Sequence, residues 1–147
     1  MKARDIMTSA PACITPESTS RQAATLMETN DCGSLPVVES EQNKRLVGVV
    51  TDRDLALRVL GRGLSSDTPV REVMSGGDVA CVRENDSLDE VEKLMSKRQV
   101  RRIPVVDEDN RVLGVIAQAD LARERKSVGE RDFGKVIEKI SEPASVR

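Results

Sequence analysis

A chain of 147 residues can form one compact domain that buries about 70% of its unfolded surface. Its formal net charge is only −2 although 33% of its residues are charged, so nothing in the overall charge favours nucleic acid or an anionic membrane as a partner. The sequence has no run of 18 apolar residues and no apolar leader after Met1, which excludes a helical membrane span and predicts a cytoplasmic location without export.

Several residue types that carry chemistry are absent. The chain has no His, Trp or Tyr and a single Phe, so it lacks the commonest general base and metal ligand and any stacking platform for single-stranded nucleic acid. The cysteines Cys13, Cys32 and Cys81 are widely spaced, which is typical of small buried hydrophobes in a reducing compartment. Cys13 and Cys81 fall in predicted strands and are expected in the core, whereas Cys32 falls in a turn, where a redox role is the alternative. We therefore expect no catalytic residue, no metal site and no enzyme.

The chain contains the same unit twice, with an offset of 66 to 68 residues between matching segments. Units of about 60 residues are too long for a solenoid repeat, and two of them most simply pack about a pseudo-two-fold axis. The matching pairs are ARDIMT (3–8) with VREVMS (70–75), ACIT (12–15) with ACVR (80–83), ATLM (24–27) with EKLM (92–95), LPVVE (35–39) with IPVVD (103–107), and LVGVV (46–50) with VLGVI (112–116).

Both repeats predict the order strand, helix, strand, strand, helix. A capping box opens the first helix of each repeat, and a short polar connection makes a hairpin of the two β-branched strands. In the first repeat these elements are a strand at 13–15, a helix opened by Thr19-x-x-Gln22, strands at 35–39 and 46–50, and a helix at about 52–60. In the second they are a strand at 81–83, a helix opened by Ser87-x-x-Glu90, strands at 103–107 and 112–116, and a helix at about 118–126.

These elements divide the chain into a first repeat (1–61), a linker (62–69), a second repeat (70–125) and a tail (126–147). The tail predicts one more helix, with a capping box and an apolar stripe that must be buried. Docking on its own module, on a second copy or on a separate protein helix are the alternatives. The tail residues concerned are Ser127, Glu130, Phe133, Val136, Ile137 and Ile140.

The strand-to-helix corners TDRD (51–54) and AQAD (117–120) are the most informative stretches. Thr51 and Asp54 are spaced as a helix cap, which stabilises by about 0.5–2 kcal/mol. Ala117 has no capping side chain, yet Asp120 occupies the matching place, where we expect only the helix dipole to favour it, by about 0.3–1 kcal/mol. A carboxylate also accepts hydrogen bonds from ribose hydroxyls, and a helix N-terminus binds anions. A ribose site is therefore the alternative to a cap, and Thr51 can serve both.

With these motifs, residues 1–125 resemble a tandem pair of cystathionine β-synthase (CBS) domains, often called a Bateman module. The motifs that carry the resemblance are DIMT and EVMS, SLPVVE and RRIPVVD, and LVGVVTDRDLA and VLGVIAQADLA. The resemblance implies an α/β (α+β) fold of two β-α-β-β-α repeats about a pseudo-two-fold axis. It also implies two clefts between the repeats that bind adenine nucleotides or adenosyl compounds in many members, and a homodimer.

In the family pattern, each cleft takes its aspartate from one repeat and its phosphate-facing loop from the other. One implied cleft holds Val49, Thr51 and Asp54 with Ala80, Val100, Arg101 and Arg102. The other holds Val115, Ala117 and Asp120 with Ala12, Cys32, Gly33 and Ser34. Arg102 is the implied phosphate ligand, since a planar guanidinium fork suits phosphate. The second cleft has no such cation, so we expect phosphorylated nucleotides to prefer the Asp54 cleft and a less charged adenosyl ligand, or none, in the other.

Other features have structural alternatives. Lys97 and Arg98 are expected to stabilise the C-terminus of a helix. A nucleic-acid patch is the rival interpretation of the whole run SKRQVRR, in which they join Arg101 and Arg102. Met7 and Met74 are expected in the core, with a flexible pocket lining as the alternative. The sequence thus predicts a regulatory module that requires no cofactor, binds AMP, ADP, ATP or S-adenosylmethionine, and signals to an unidentified partner. The alternative is a dimerisation scaffold without nucleotide, and a small hydrolase or nucleic-acid binder is disfavoured.

Overall fold

The computed structural model describes residues 1–128, which form five α-helices and seven strands. The predicted tail helix, with its capping box and apolar stripe, lies outside the described residues. In chain order the elements are α1 (Ala3–Ile6), β1 (Thr8–Ser9), α2 (Ser20–Thr29), β2 (Ser34–Val38), β3 (Leu46–Thr51), α3 (Asp52–Asp54), β4 (Ser75–Gly76), β5 (Val82–Arg83), α4 (Leu88–Arg98), β6 (Arg102–Val106), β7 (Val112–Ala117) and α5 (Gln118–Val128). The predicted mixed α+β class is confirmed, and the second repeat has the predicted order of elements. In the first repeat the strand predicted at 13–15 is only a single bridge at Ile14, and the remaining elements follow the predicted order.

The described residues form two compact units, which we name after their corner aspartates. The Asp54 unit comprises Ala12–Val79 and Asp109–Val112, and the Asp120 unit comprises Met1–Pro11, Ala80–Glu108 and the chain from Leu113 onwards. Each unit has its own apolar core. Leu35, Val37 and Val50 are buried in the first, and Ile103, Val105 and Ile116 in the second.

The two sheets have matching orders. The sheet of the Asp120 unit runs β1-β7-β6-β5, and that of the Asp54 unit runs β2-β3-β4, with Ile14 adding a parallel bridge to Val37 beside β2. In both β3 and β7, buried residues alternate with half-buried ones, because successive side chains of a strand point to opposite faces. Val49 and Thr51 therefore share the more open face of β3, and Val115 and Ala117 share that of β7.

The short strands β1 and β4 were not expected from the sequence, and each joins the sheet of the other repeat. β1 pairs antiparallel with β7 through Thr8 and Val115, and β4 pairs antiparallel with β3 through Ser75 and Val49. As a result, the compact units and the sequence repeats have different boundaries. Met1–Pro11 belongs to the Asp120 unit, whereas residues 70–79 remain with the Asp54 unit.

Glycines and methionines explain how β1 and β4 approach so closely. A Cβ atom on Gly48 would lie 2.8 Å from the backbone oxygen of Ser75 and 2.9 Å from the sulfur of Met74. A Cβ on Gly114 would lie 2.6 Å from the sulfur of Met7. Only glycine leaves room for these contacts. Both methionines pack against the cores of their units, which confirms the prediction that their role is packing.

The helix after β3 differs from the regular helix that the sequence predicts. It begins as α3 and continues as a π-helix over Leu55–Leu60. It ends in a Schellman motif: the amide of Gly63 donates to the carbonyl of Leu60 at 3.1 Å, and that of Leu64 to Val59 at 2.9 Å. Gly63 has φ +69°, a left-handed conformation that glycine adopts without strain.

Two smaller expectations were wrong. At the start of α4, the Ser87 hydroxyl accepts from the amide of Glu90 at 3.2 Å, but within residues 1–128 the Glu90 side chain makes no reciprocal bond, so the cap is half a capping box. Cys13 and Cys81 are only half-buried instead of lying in the core. By contrast, the capping box of Thr19 and Gln22 is complete, and Lys97 and Arg98 do lie in the last turn of α4.

Candidate functional site

The Asp54 corner forms a complete capping box at the junction of β3 and α3. The Thr51 hydroxyl accepts from the Asp54 amide at 3.1 Å, and Asp54 Oδ2 accepts from the Thr51 amide at 2.9 Å. Two N–H groups that a helix start would leave unpaired are thereby satisfied. The predicted cap is therefore present, and it fixes the position of the carboxylate.

The Asp120 corner corrects the argument made from the sequence. Asp120 Oδ2 accepts from the Ala117 amide at 2.8 Å. An aspartate in the third helical position can therefore accept from the backbone amide of the capping residue. This bond does not depend on the side chain of the capping residue, so alanine is sufficient at position 117. The expectation that only the helix dipole stabilises Asp120 was wrong, because the sequence argument considered the capping residue and overlooked this reciprocal bond.

The second carboxylate oxygens distinguish the two corners. Asp120 Oδ1 accepts a hydrogen bond from the guanidinium of Arg123. Asp54 Oδ1 lies 3.9 Å from Nε of Arg58, which is too long for a hydrogen bond. Arg58 instead donates to the backbone oxygen of Val73 at 2.9 Å. Both aspartate side chains are largely buried, with 13% exposed at Asp54 and 9% at Asp120.

Sequence reasoning missed both arginines, although their spacing was visible. Arg58 stands four residues after Asp54, and Arg123 three residues after Asp120. Side chains at these separations are neighbours on a helix surface. Only Arg123 forms a hydrogen bond with its aspartate, because the guanidinium of Arg58 donates to the backbone oxygen of Val73 instead.

Within each unit, the loop before the PVV strand lies at that unit's own corner. The amide of Asp52 donates to the carbonyl of Gly33 at 2.9 Å, and the amide of Gln118 donates to that of Arg101 at 2.8 Å. A Cβ on Gly33 would lie 2.9 Å from the Asp52 carboxylate, so this loop position needs glycine. The structure thus brings Gly33 to the Asp54 corner and Arg101 to the Asp120 corner.

The remaining predicted site residues are distributed between the two units. Arg101 and Arg102 are exposed, and within residues 1–128 neither has a salt bridge, which leaves both guanidinium groups available to an anion. The half-buried candidates of the Asp54 unit are Ala12, Cys32, Gly33, Ser34, Val49 and Thr51, and those of the Asp120 unit are Ala80, Val100, Val115 and Ala117.

Two surface grooves lie apart from these corners. One, of about 380 Å³, lies beside the bridge residue Ile14 and α2, and the other, of about 340 Å³, lies beside β5 and α4. None of the predicted site residues lines either groove. Cys13 lies in the first groove, where burial raises the pKa of its thiol and the charge of Lys44 opposes that shift. A thiol with a raised pKa is a poor nucleophile at neutral pH.

Within residues 1–128, no cluster of three or more acidic or cysteine side chains is arranged to hold a metal ion. In the same part of the chain, no helix combines the length and apolar character that crossing a membrane requires. As binding groups the corners therefore offer fixed carboxylates, because the amides of Thr51, Asp52 and Asp54 are already hydrogen-bonded within the first corner.

Comparisons with known proteins give the family. The sequence profile described as CBS domain matches residues 3–61 and 67–127. The chain is 41% identical over 138 residues to the CBS domain-containing protein YhcV of Bacillus subtilis, covering 94% of both chains. It is 36% identical over 135 residues to hypoxic response protein 1 of Mycobacterium tuberculosis, covering 92% of both. Both relatives match along almost their whole length.

Solved structures that resemble this chain belong to the same family. The crystal structure of Hypoxic Response Protein I with two coordinated zinc ions has a TM-score of 0.76 at 35% identity, covering 84% of this chain and 98% of that one. The structure of CBSX2 in complex with AMP has a TM-score of 0.73 at 26% identity, covering 88% and 98%. The CBS domain pair of MJ0100, in complex with 5′-methylthioadenosine and S-adenosyl-L-methionine, has a TM-score of 0.72 at 28% identity, covering 87% and 98%. The chain belongs to the CBS domain family and carries two CBS domains in tandem.

Proposed function

We propose that this chain is a non-catalytic, cytoplasmic regulatory module that senses adenosyl nucleotides such as AMP, ADP or ATP at its aspartate corners. The observation that carries the proposal is the state of the Asp54 carboxylate. One oxygen is fixed by the Thr51 amide, whereas the other has no hydrogen-bond partner among residues 1–128. A largely buried acceptor with an open position suits a ligand that donates hydrogen bonds, because its own geometry is already fixed.

The ribose of a nucleotide is the donor that fits best. Its hydroxyls donate to Asp54 Oδ1, and such bonds to a charged acceptor are the stronger kind. Thr51 Oγ1 uses one of its two lone pairs for the cap, so its O–H remains able to donate to a phosphate. Val49, on the same open face of β3, is an apolar contact for the base. Relatives support this class of ligand, since CBSX2 is complexed with AMP and MJ0100 with S-adenosyl-L-methionine.

The family pattern completes this cleft with Ala80, Val100, Arg101 and Arg102, and the matching cleft of Val115, Ala117 and Asp120 with Ala12, Cys32, Gly33 and Ser34. The family pattern assigns Arg101 and Arg102 to the Asp54 cleft, so we expect phosphorylated nucleotides to prefer that cleft. The Asp120 carboxylate is already satisfied by Arg123, so a ligand there must displace an ion pair. A less charged adenosyl ligand such as S-adenosylmethionine, or none, is expected at the second cleft.

Ligand binding then acts as the signal. A ligand that binds one conformation stabilises it by RT ln(1 + [L]/Kd), about 2.7 kcal/mol at a hundredfold excess over Kd. Such a shift is large enough to change which conformation predominates. The occupied state passes to a second copy in a homodimer or to an unidentified protein partner. The nucleotide is a regulatory ligand, and no cofactor is required.

Thermal unfolding of the full-length wild type with AMP, ADP, ATP, S-adenosylmethionine and NADH tests this proposal. We expect one or more of these ligands to raise Tm, and the Asp54→Ala variant to lose the effect of phosphorylated ligands while Asp120→Ala retains it. Unchanged Tm with every ligand of the panel contradicts the proposal and favours a dimerisation scaffold without nucleotide. Equal losses in the two variants contradict the assignment to the Asp54 cleft.

A further inference from the structure

One guanidinium group of the Asp54 unit lies within reach of two different kinds of acceptor. Nη1 of Arg58 donates to the backbone oxygen of Val73 at 2.9 Å and lies 3.4 Å from that of Met74. Nε of the same side chain lies 3.9 Å from Asp54 Oδ1. A hydrogen bond of this type measures about 2.9 Å, so a movement of about 1 Å would bring Nε to the carboxylate. Arg58 is 39% exposed, which leaves room for that movement.

The carboxylate and the two backbone oxygens compete for this arginine. A carboxylate is the stronger kind of acceptor for a guanidinium, because both partners are charged. The corresponding pair is formed at the other corner, where Arg123 donates to Asp120 Oδ1. At the first corner the oxygens of Val73 and Met74 hold Arg58 instead. The balance there therefore depends on how strongly the carboxylate attracts the guanidinium.

The backbone oxygens that hold Arg58 belong to the segment that leads into β4. Val73 is fully buried, so this acceptor has a fixed position. β4 begins directly after Met74 and pairs with β3 beside Val49, the proposed contact for the base. Three residues beyond β4, the chain leaves the Asp54 unit. Arg58 therefore connects the corner with the edge strand through which the chain continues.

Only the first corner has this connection. Arg123 is 76% exposed, and among residues 1–128 its hydrogen bond to Asp120 is the only one that it makes. Arg58 also lies in the π-helix Leu55–Leu60, whereas α5 is an α-helix. Turns of π-helix frequently occur at functional sites. Each chain therefore has one corner that can pass its state to an edge strand.

We infer that Arg58 is a positioning residue that couples the state of the Asp54 carboxylate to the start of β4. When a ribose hydroxyl donates to Asp54 Oδ1, the carboxylate attracts Arg58 less, and the guanidinium stays on the oxygens of Val73 and Met74. When the site is empty, the carboxylate competes for Arg58 and weakens that anchor. Bound nucleotide therefore tightens β4, and by linkage a tighter β4 favours nucleotide. This role deepens the proposed function and rests on it only for the identity of the trigger.

Hydrogen–deuterium exchange of the ligand-free, full-length chain tests the coupling by a double-mutant cycle. Arg58→Met should raise the exchange rate of the peptide that covers residues 73–76 about tenfold, because it removes a charged donor from the anchor. Asp54→Asn should lower this rate about two- to fivefold, because a neutral amide competes less for the guanidinium. In the double variant, Asp54→Asn should no longer change the rate.

Matched controls come from the same short helix. Arg53→Met and Asp52→Asn remove the same charges from exposed side chains of α3 and should leave the exchange of residues 73–76 unchanged. An effect of Asp54→Asn that is equal with and without Arg58 overturns the coupling. If Arg58→Met does not fold, Asp54→Asn alone remains decisive, since an unchanged exchange rate in that variant overturns the coupling as well.

The same exchange measurement with saturating AMP tests the trigger, and calorimetry shows whether AMP is bound. Bound AMP should slow the exchange of residues 73–76 in the wild type but not in Arg58→Met, which should still bind AMP. Slowing that persists in Arg58→Met overturns the coupling, as does AMP binding without any slowing in the wild type. A wild type that binds no AMP counts against the proposed function alone, because the ligand-free cycle is measured without nucleotide.

Discussion

Replacing Asp54 by alanine should separate a ligand contact from a helix cap, because the Asp54 unit contains a matched cap that has no proposed ligand. Gln22 occupies the same third position of α2 that Asp54 occupies of α3. Each side chain accepts a hydrogen bond from the amide of the capping threonine at 2.9 Å, and each threonine hydroxyl accepts one from the amide of Gln22 or Asp54 at 3.1 Å. Gln22→Ala and Asp54→Ala therefore remove the same capping bond.

The structure gives different magnitudes for stability and binding. Loss of the capping bond should lower the free energy of unfolding by about 0.5–2 kcal/mol in both variants. Asp54→Ala should lose about 0.3–1 kcal/mol more, because a carboxylate at a helix start also interacts with the helix dipole. A hydrogen bond from ribose to a charged acceptor contributes about 1.5–3 kcal/mol, which corresponds to a rise in Kd of roughly 10- to 150-fold in Asp54→Ala alone.

Urea unfolding measures the first quantity, and isothermal titration calorimetry with the best-stabilising nucleotide measures the second. We expect both variants to lose stability, Asp54→Ala by about 0.3–1 kcal/mol more, and only Asp54→Ala to lose affinity for nucleotide. If Asp54→Ala is destabilised but binds nucleotide as the wild type does, the carboxylate is a cap and the ribose assignment is wrong. If Gln22→Ala weakens binding as much, the effect on affinity is an indirect consequence of lower stability.

Further predictions concern packing and titration. Arg125 donates to the buried carboxylate of Glu92 at 2.6 Å. Arg125→Val should therefore lower the free energy of unfolding in urea by about 3–5 kcal/mol, because it leaves a buried charge unpaired. The double variant with Glu92→Ala should recover most of that loss. Gly48→Ala should lower stability by about 1–3 kcal/mol, because its Cβ would lie 2.8 Å from a backbone oxygen of β4; unchanged unfolding would show that the strands adjust freely. Cys13 should be alkylated slowly until the pH passes the ordinary thiol range, since burial raises its pKa. Because the unfolded chain releases the Cys13 proton at lower pH than the folded chain does, the free energy of unfolding should fall as the pH rises through that range. Rapid alkylation of Cys13 in the folded protein at neutral pH would contradict the burial of its thiol.

Local patterns were enough to predict most elements of each repeat. The capping residues Thr19 and Thr51 mark helix starts, and each forms the expected hydrogen bonds. The β-branched runs become β2, β3, β6 and β7. Burial alternates along β3 and β7, whereas four successive residues are buried in β2 and in β6. Repetition added weight to each of these predictions, since the same signal occurs twice at one offset.

The sequence could not predict which sheet each short strand would join. β1 has two residues and pairs with β7, more than 100 residues away, and a two-residue strand has no periodicity to read. The glycines at 48 and 114 were a usable signal, because a glycine inside a strand often marks close approach of another backbone. The π-helix of Leu55–Leu60 was also invisible, since its sequence fits an ordinary helix equally well.

The two corners show how a duplicated unit can give unequal sites while the backbone stays the same. Asp54 and Asp120 make the same bond to the amide three residues before them, so position and burial are common to both. The difference comes from one neighbouring arginine: Arg123 occupies the free oxygen of Asp120, whereas Arg58 is drawn to a backbone carbonyl instead. A ligand at the second corner must therefore displace a hydrogen-bonded ion pair, whereas at the first corner Arg58 stays 3.9 Å from the carboxylate and makes no hydrogen bond to it. Neither arginine belongs to the motif that the repeats share. A matching motif therefore indicates that the capped corner can form, but it does not indicate whether the second carboxylate oxygen is free to accept a hydrogen bond from a ligand.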